Sequence, residues 1–97
     1  GDDMITVRGN NVFPSSIEAV IRSVDGVAEF RVIVGTRNAM DSLAVEIEPA
    51  EGVAAGLVVD GVAAAIRETF SFAADVRAVA VGSLPRFELK GRRFVRD

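Results

Sequence analysis

Val27 to Pro49 reads VAEFRVIVGTRNAMDSLAVEIEP. At the centre of its first part, Phe30, Val32 and Val34 fall on one side and Arg31 on the other. Further on, Leu43, Val45 and Ile47 alternate against Ala44, Glu46 and Glu48. A period of two residues is the mark of a strand with one buried face. Val27–Gly35 and Ser42–Pro49 are therefore read as two half-buried strands, with Pro49 closing the second. The turn-like TRNAMD between them is short enough to fold the pair into an antiparallel hairpin.

The flanking segments alternate between helix and strand. Upstream, MITVRG (Met4–Gly9) alternates and stops at glycine, so it reads as a short strand. Pro14 then suits a first helical turn and Glu18 the positive end of a helix. Ile17, Val20, Ile21 and Val24 recur at helical spacing, which gives a helix over Pro14–Val24 ended by Asp25-Gly26. Downstream, Val58, Val62, Ala65, Ile66 and Phe70 share a helical face. Gly56 and Gly61 weaken the early part, so the firm helix is Asp60–Phe70. Ala74–Gly82 is another alternating strand, and a last short strand is expected at Arg93–Val95. The order predicts an α+β two-layer sandwich: a mostly antiparallel sheet of three to four strands with two helices on one face. Such a fold hosts many activities and names none of them.

Composition narrows the chemistry. Ninety-seven residues form one small domain, residues 1–97, and 49% are hydrophobic. There is no cysteine and no histidine, which excludes disulfides, a Cys/His zinc site and a histidine general base. No metal site is expected within the domain. No apolar run has the length of a membrane span and no signal peptide opens the chain, so a cytoplasmic setting with no membrane partner is expected. A net charge of −3 argues against nucleic acid as a partner. An RNA-binding sheet would also need exposed aromatics, and the candidate strands offer only Phe30. The charge is uneven: Arg86 to Asp97 carries five cations and two anions, leaving the rest acidic. Ten of the basic residues are arginines, and Lys90 is the only lysine.

Two stretches carry more detail than a plain sandwich requires. The first opens the chain: Asp2, Asp3, Met4, Arg8, Gly9, Asn11, Val12, Phe13, Pro14, Ser15, Ile17 and Glu18. The second is near its end: Gly82, Ser83, Leu84, Pro85, Arg86, Glu88, Lys90 and Arg93. Together they resemble the opening and closing motifs of the C-terminal domain of phenylacetate–coenzyme A ligases, in the adenylate-forming acyl-CoA ligase superfamily. The resemblance spans the chain from Asp2 onward. Two positions depart from the pattern: Leu89 stands where the family usually has glycine, and Phe87 where a small polar residue is common.

The resemblance implies an ATP-dependent, AMP-forming ligase whose small domain acts as a mobile lid. A large N-terminal adenylation domain of the same chain, absent from this sequence, would bind ATP, Mg2+ and an aryl carboxylic acid. The lid would rotate between formation of the acyl adenylate and its capture by coenzyme A. Asp2 stands at the family's hinge, Lys90 at its adenylation lysine, and Arg8-Gly9-Asn10-Asn11 at its coenzyme A-facing loop. A lysine suits that role chemically, being a compact charge on a long stem, whereas arginine presents a broad planar fork. The chain begins inside the first motif without an initiator methionine, so it is expected to be an excised or incomplete domain, inactive by itself. The alternative is a free-standing βαββαβ module that binds a small regulatory molecule.

Overall fold

The computed structural model describes residues 3–37, 40–86 and 93–97. The element order is β1 (Ile5–Val7), β2 (Asn10–Val12), α1 (Pro14–Arg22), β3 (Val27–Arg37), β4 (Met40–Pro49), α2 (Ala55–Phe70), β5 (Asp75–Ala78) and β6 (Phe94–Arg96). The expected α+β sandwich is the observed fold. β3 and β4 form the long antiparallel hairpin, with Phe30 opposite Ile47, Val32 opposite Val45 and Val34 opposite Leu43. The four-stranded sheet is mixed, in the order β5-β4-β3-β6, because both edge strands join in parallel. α2 supplies the crossover that a parallel β4–β5 pairing requires.

The apolar alternation builds one core. Phe30, Val32, Val34, Leu43, Val45 and Ile47 cluster with Ile17 and Ile21 of α1 and with Val58, Val62 and Ile66 of α2. Helix spacing is what delivers those residues to a common face. Ile5, Val7 and Val12 join the same cluster from the small β1–β2 hairpin.

Four local differences from the sequence reading have physical causes. Asn10–Val12 pairs back on Ile5–Val7 instead of leading straight into the helix. The residues between the strands, Arg8 and Gly9, both have positive φ, at 53° and 81°, as a type I′ hairpin turn demands. Glu18 lies beyond the first turn of α1, which holds no acidic residue, so its charge serves ion pairing and not the helix end. α2 starts at Ala55, earlier than Asp60, and its Gly61 has a packing reason: a Cβ there would lie 3.1 Å from Val24 Cγ1. β5 is shorter than Ala74–Gly82, because the chain turns at Ala80, whose carbonyl accepts the Ser83 amide at 3.0 Å.

Candidate functional site

The sheet face opposite the apolar core carries charge, and much of it is buried. Glu29 stands directly opposite Glu48 in the β3–β4 ladder, and Arg31 opposite Glu46. Facing carboxylates repel unless cations intervene. Glu29, Glu46 and Glu48 are all buried, Glu48 completely. Each is held by arginine.

Glu48 organises the chain that leads into the second motif. Its Oε1 accepts the Gly82 amide at 2.7 Å and Arg86 Nη2 at 3.1 Å. Its Oε2 accepts the Leu84 amide at 2.9 Å and Arg86 Nη1 at 2.9 Å. The turn at Ala80–Ser83 aims the two amides, and the guanidinium closes on both oxygens as a bidentate fork. The Arg86 hydrogen bonds hold the Glu48 carboxyl down to about 2, against the opposing effect of burial. Arg86 itself keeps 60% of its side chain exposed.

Arg93 makes a second anchorage seven residues later. Its Nε donates to Glu29 Oε1 at 2.9 Å, and its Nη1 lies 3.8 Å from Glu18 Oε1. The guanidinium also rests 5.4 Å from the centre of the Phe30 ring, within cation–π range. Burial raises the Glu29 pKa, but the Arg93 and Phe30 hydrogen bonds outweigh it, so the net shift is downward. Glu18 belongs to the first sequence motif and Arg93 to the second, so the fold brings the two motifs together here. Further along the sheet, Glu46 is shared by Arg31, at 2.6 Å, and Arg77. Those hydrogen bonds likewise overcome desolvation and lower the Glu46 pKa.

The Arg8–Asn11 segment forms the turn and the start of the return strand in the β1–β2 hairpin. The Arg8 amide donates to the Asp41 carbonyl at 3.3 Å, which ties the turn to the start of β4. Asn10 Nδ2 donates to the Val7 and Arg8 carbonyls, and Asn11 Oδ1 accepts the Thr6 hydroxyl at 3.0 Å. Both asparagines therefore brace the hairpin. Arg8 and Gly9 are exposed, and no atom lies within 4 Å of the space above Gly9 where a side chain would project. An open pocket of about 250 Å³ lies beside the turn, lined by Arg8, Ser42, Ala44, Ala74 and Asp75 among others.

The sequence-predicted residues thus fall into separate stations. The Arg8–Asn11 turn is tied to the first residues of β4, and the Arg86 anchorage to Glu48 near its last. Asp41 and Glu48 stand seven positions apart along the strand, about 23 Å of chain. Asp2, Lys90 and the two departures Phe87 and Leu89 lie outside the described residues. Sequence reading does not single out Glu48 or Glu29. The only signal for them is a pair of glutamates on the second face of an alternating strand and a surplus of arginine in the tail. Among the described residues no group of three or more acidic or histidine ligands could hold a metal ion, and no helix is long and apolar enough to cross a membrane.

Comparison with known proteins shows the family of the chain. The AMP-binding enzyme C-terminal domain family matches residues 9–97. Phenylacetate-coenzyme A ligase of Escherichia coli K12 is 32% identical over 99 residues, covering 95% of this chain and 23% of that protein. A crystal structure of 2-hydroxyisobutyryl-CoA ligase, in complex with 2-HIB-AMP and CoA in the thioesterification state, superposes with a TM-score of 0.83. It is 33% identical, and the match covers 99% of this chain and 21% of that one. A domain of phenylacetate-coenzyme A ligase from Bacteroides vulgatus shares the fold at a TM-score of 0.79 and 21% identity, over 98% of this chain and 92% of that one. The chain spans less than a quarter of the length of the full ligases it matches.

Proposed function

The chain belongs to the AMP-binding enzyme C-terminal domain family, and from that premise we propose that it is the mobile lid of an ATP-dependent, AMP-forming acid–coenzyme A ligase acting on an aryl acid of the phenylacetate type. A large adenylation domain of the same polypeptide would be its partner, in a cytoplasmic enzyme. The alternative of a free-standing regulatory module gains nothing from relatives that are ligases over this same stretch.

One observation carries the reading. The exposed Arg8–Gly9 turn and the Glu48–Arg86 anchorage are tied to opposite ends of β4. Two stations so far apart on a small rigid sheet do not serve one active site at the same moment. A domain that rotates between two half-reactions can use each in turn. In the adenylating pose Lys90 would approach the carboxylate and α-phosphate oxygens, where negative charge accumulates. In the thioester-forming pose the Gly9 backbone would lie along the pantetheine arm of coenzyme A, and the open space above Gly9 suits that approach. Asp2 would be the hinge about which the two poses exchange. ATP and the acid are substrates held mainly by the large domain, as is Mg2+, for which the described residues offer no ligand cluster. The isolated domain would be inactive.

The test separates the half-reactions in the full-length ligase. Lys90→Ala should cut adenylate formation by about 10²–10³-fold and leave capture of a supplied acyl adenylate by coenzyme A nearly unchanged. Lys90→Arg should rescue poorly, since the guanidinium is broader and directs its hydrogen bonds differently. Asp2→Pro, by fixing φ at the hinge, should slow one half-reaction far more than the other. Adenylation at the parent rate by Lys90→Ala would reduce Lys90 to a surface cation. Equal slowing of both steps by Asp2→Pro would remove the hinge.

A further inference from the structure

Two arginine–carboxylate anchorages flank Lys90 in sequence. Arg86 stands four residues before it and Arg93 three residues after it. Four residues of chain reach at most about 14 Å, and three about 11 Å. We propose that Glu48 is a positioning residue for adenylation, fixing through Arg86 the point from which Lys90 is presented, with Glu29 and Glu18 fixing the far side through Arg93. This rests on the reading of Lys90 as the adenylation lysine.

The geometry exceeds what stability alone needs. A buried ion pair is often no more stable than apolar residues of the same volume, and Val32–Val45 on the other face of the same ladder shows the apolar solution. Here the ladder instead places two carboxylates opposite each other, and arginines of the C-terminal segment pair with both. What the charges add is direction. Both oxygens of Glu48 are saturated, each with two donors, from three points of the segment Gly82–Arg86. Pro85 stiffens the chain between the last two points. Leu84 is buried. The segment therefore leaves the sheet at a set place and angle, where an apolar patch would let it slide. Catalysis by a positioned charge is sensitive to displacement: an error of about 1 Å costs up to about 10²-fold.

The experiment uses the full-length ligase with Lys90→Ala, Glu48→Gln, Arg86→Gln and the double variant Glu48→Gln/Lys90→Ala. Single-turnover adenylate formation is measured beside thioester formation from preformed adenylate. Glu48→Gln keeps the shape of the side chain but removes the charge and half of its acceptor capacity. It should slow adenylation by about 10- to 100-fold, through kcat with KM for the acid unchanged, while thioester formation stays within about twofold. Arg86→Gln, at a largely exposed position, should reproduce the effect even where Glu48→Gln reduces the yield of folded enzyme. The double variant should be no slower than Lys90→Ala alone, because the two residues act through one group. If Lys90→Ala slows adenylation and Arg86→Gln does not, the positioning role is overturned while the lysine's role stands. Equal slowing of both half-reactions, or additive losses in the double variant, would overturn it too. A Lys90→Ala enzyme with unchanged adenylation would overturn the underlying reading instead.

Discussion

On the helix-covered face of the sheet, Phe30 stands opposite Ile47 and Val32 opposite Val45. On the other face, one residue along, Glu29 stands opposite Glu48 and Arg31 opposite Glu46. Both sets are buried, apart from the partly exposed Arg31, but by different physics. The first face is held by removal of apolar surface from water, which is non-directional and tolerant of repacking. The second is held by hydrogen bonds between charged groups, which fix angle and distance and fail when one partner is lost. The first face gives the domain its mass of stability. The second fixes where two exposed segments attach.

The comparison can be broken at its apolar side first. Ile47→Ala deletes a fully buried side chain from the centre of the core. It should cost about 2–5 kcal/mol in urea unfolding. A loss below about 1 kcal/mol would mean that the charged face, and not the core, dominates stability.

A smaller and pH-dependent effect is expected at Glu48. Its removal by Glu48→Ala leaves the buried Leu84 amide without its acceptor and should cost about 2 kcal/mol near neutral pH. The sign of the pH dependence follows from a folded-state pKa depressed to about 2. The charged form is favoured in the folded state, so its contribution is complete above the unfolded value of about 4.3 and is lost as pH falls through the folded one. The gap between Glu48→Ala and the parent should therefore narrow from pH 6 towards pH 2. Glu46, held by Arg31 and Arg77, titrates in the same direction in both proteins and drops out of the difference. A gap independent of pH would show that packing, and not charge, holds the Gly82–Arg86 segment.

The smallest effect is expected where the charged face meets water. Arg77 is 70% exposed, and Glu46 keeps Arg31 when Arg77 is lost. Arg77→Ala should change stability by less than about 1 kcal/mol. A larger loss would mean that the arginines on Glu46 act as one cooperative network, which a cycle with Arg31→Ala would measure.

The two faces also differ in how well the sequence discloses them. The period of two in Val27–Pro49 is enough to find the hairpin and its apolar side, because each residue's place there depends on its neighbours. Ile17 and Ile21, or Val58, Val62 and Ile66, are legible for the same reason. Glu48 is not, since alternation marks it only as the polar side of a strand. Its burial depends on Gly82, Leu84 and Arg86, up to 38 residues away. Glu29 depends on Arg93 over 64 residues. The β2 strand is missed for a local reason: a two-residue turn with Arg8 at positive φ is hard to foresee, because arginine has no preference for that conformation. The motifs themselves are visible in the sequence. What joins them, Glu18 meeting Arg93, is visible only in space.

The long separation between each carboxylate and its arginine has a consequence during synthesis. A ribosome completes β4, with Glu48 opposite Glu29, well before Arg86 and Arg93 are translated. Until then the nascent hairpin carries two facing carboxylates with no cation from the C-terminal segment. Its apolar face can collapse on the helices, but its charged face stays hydrated. Completion of the sheet is thereby deferred until Arg86 and Arg93 have emerged. On stalled nascent chains, the pulling force that accompanies folding should rise in two steps, the second as Arg93 leaves the exit tunnel. A single rise before Arg86 emerges would show that the sheet closes without them.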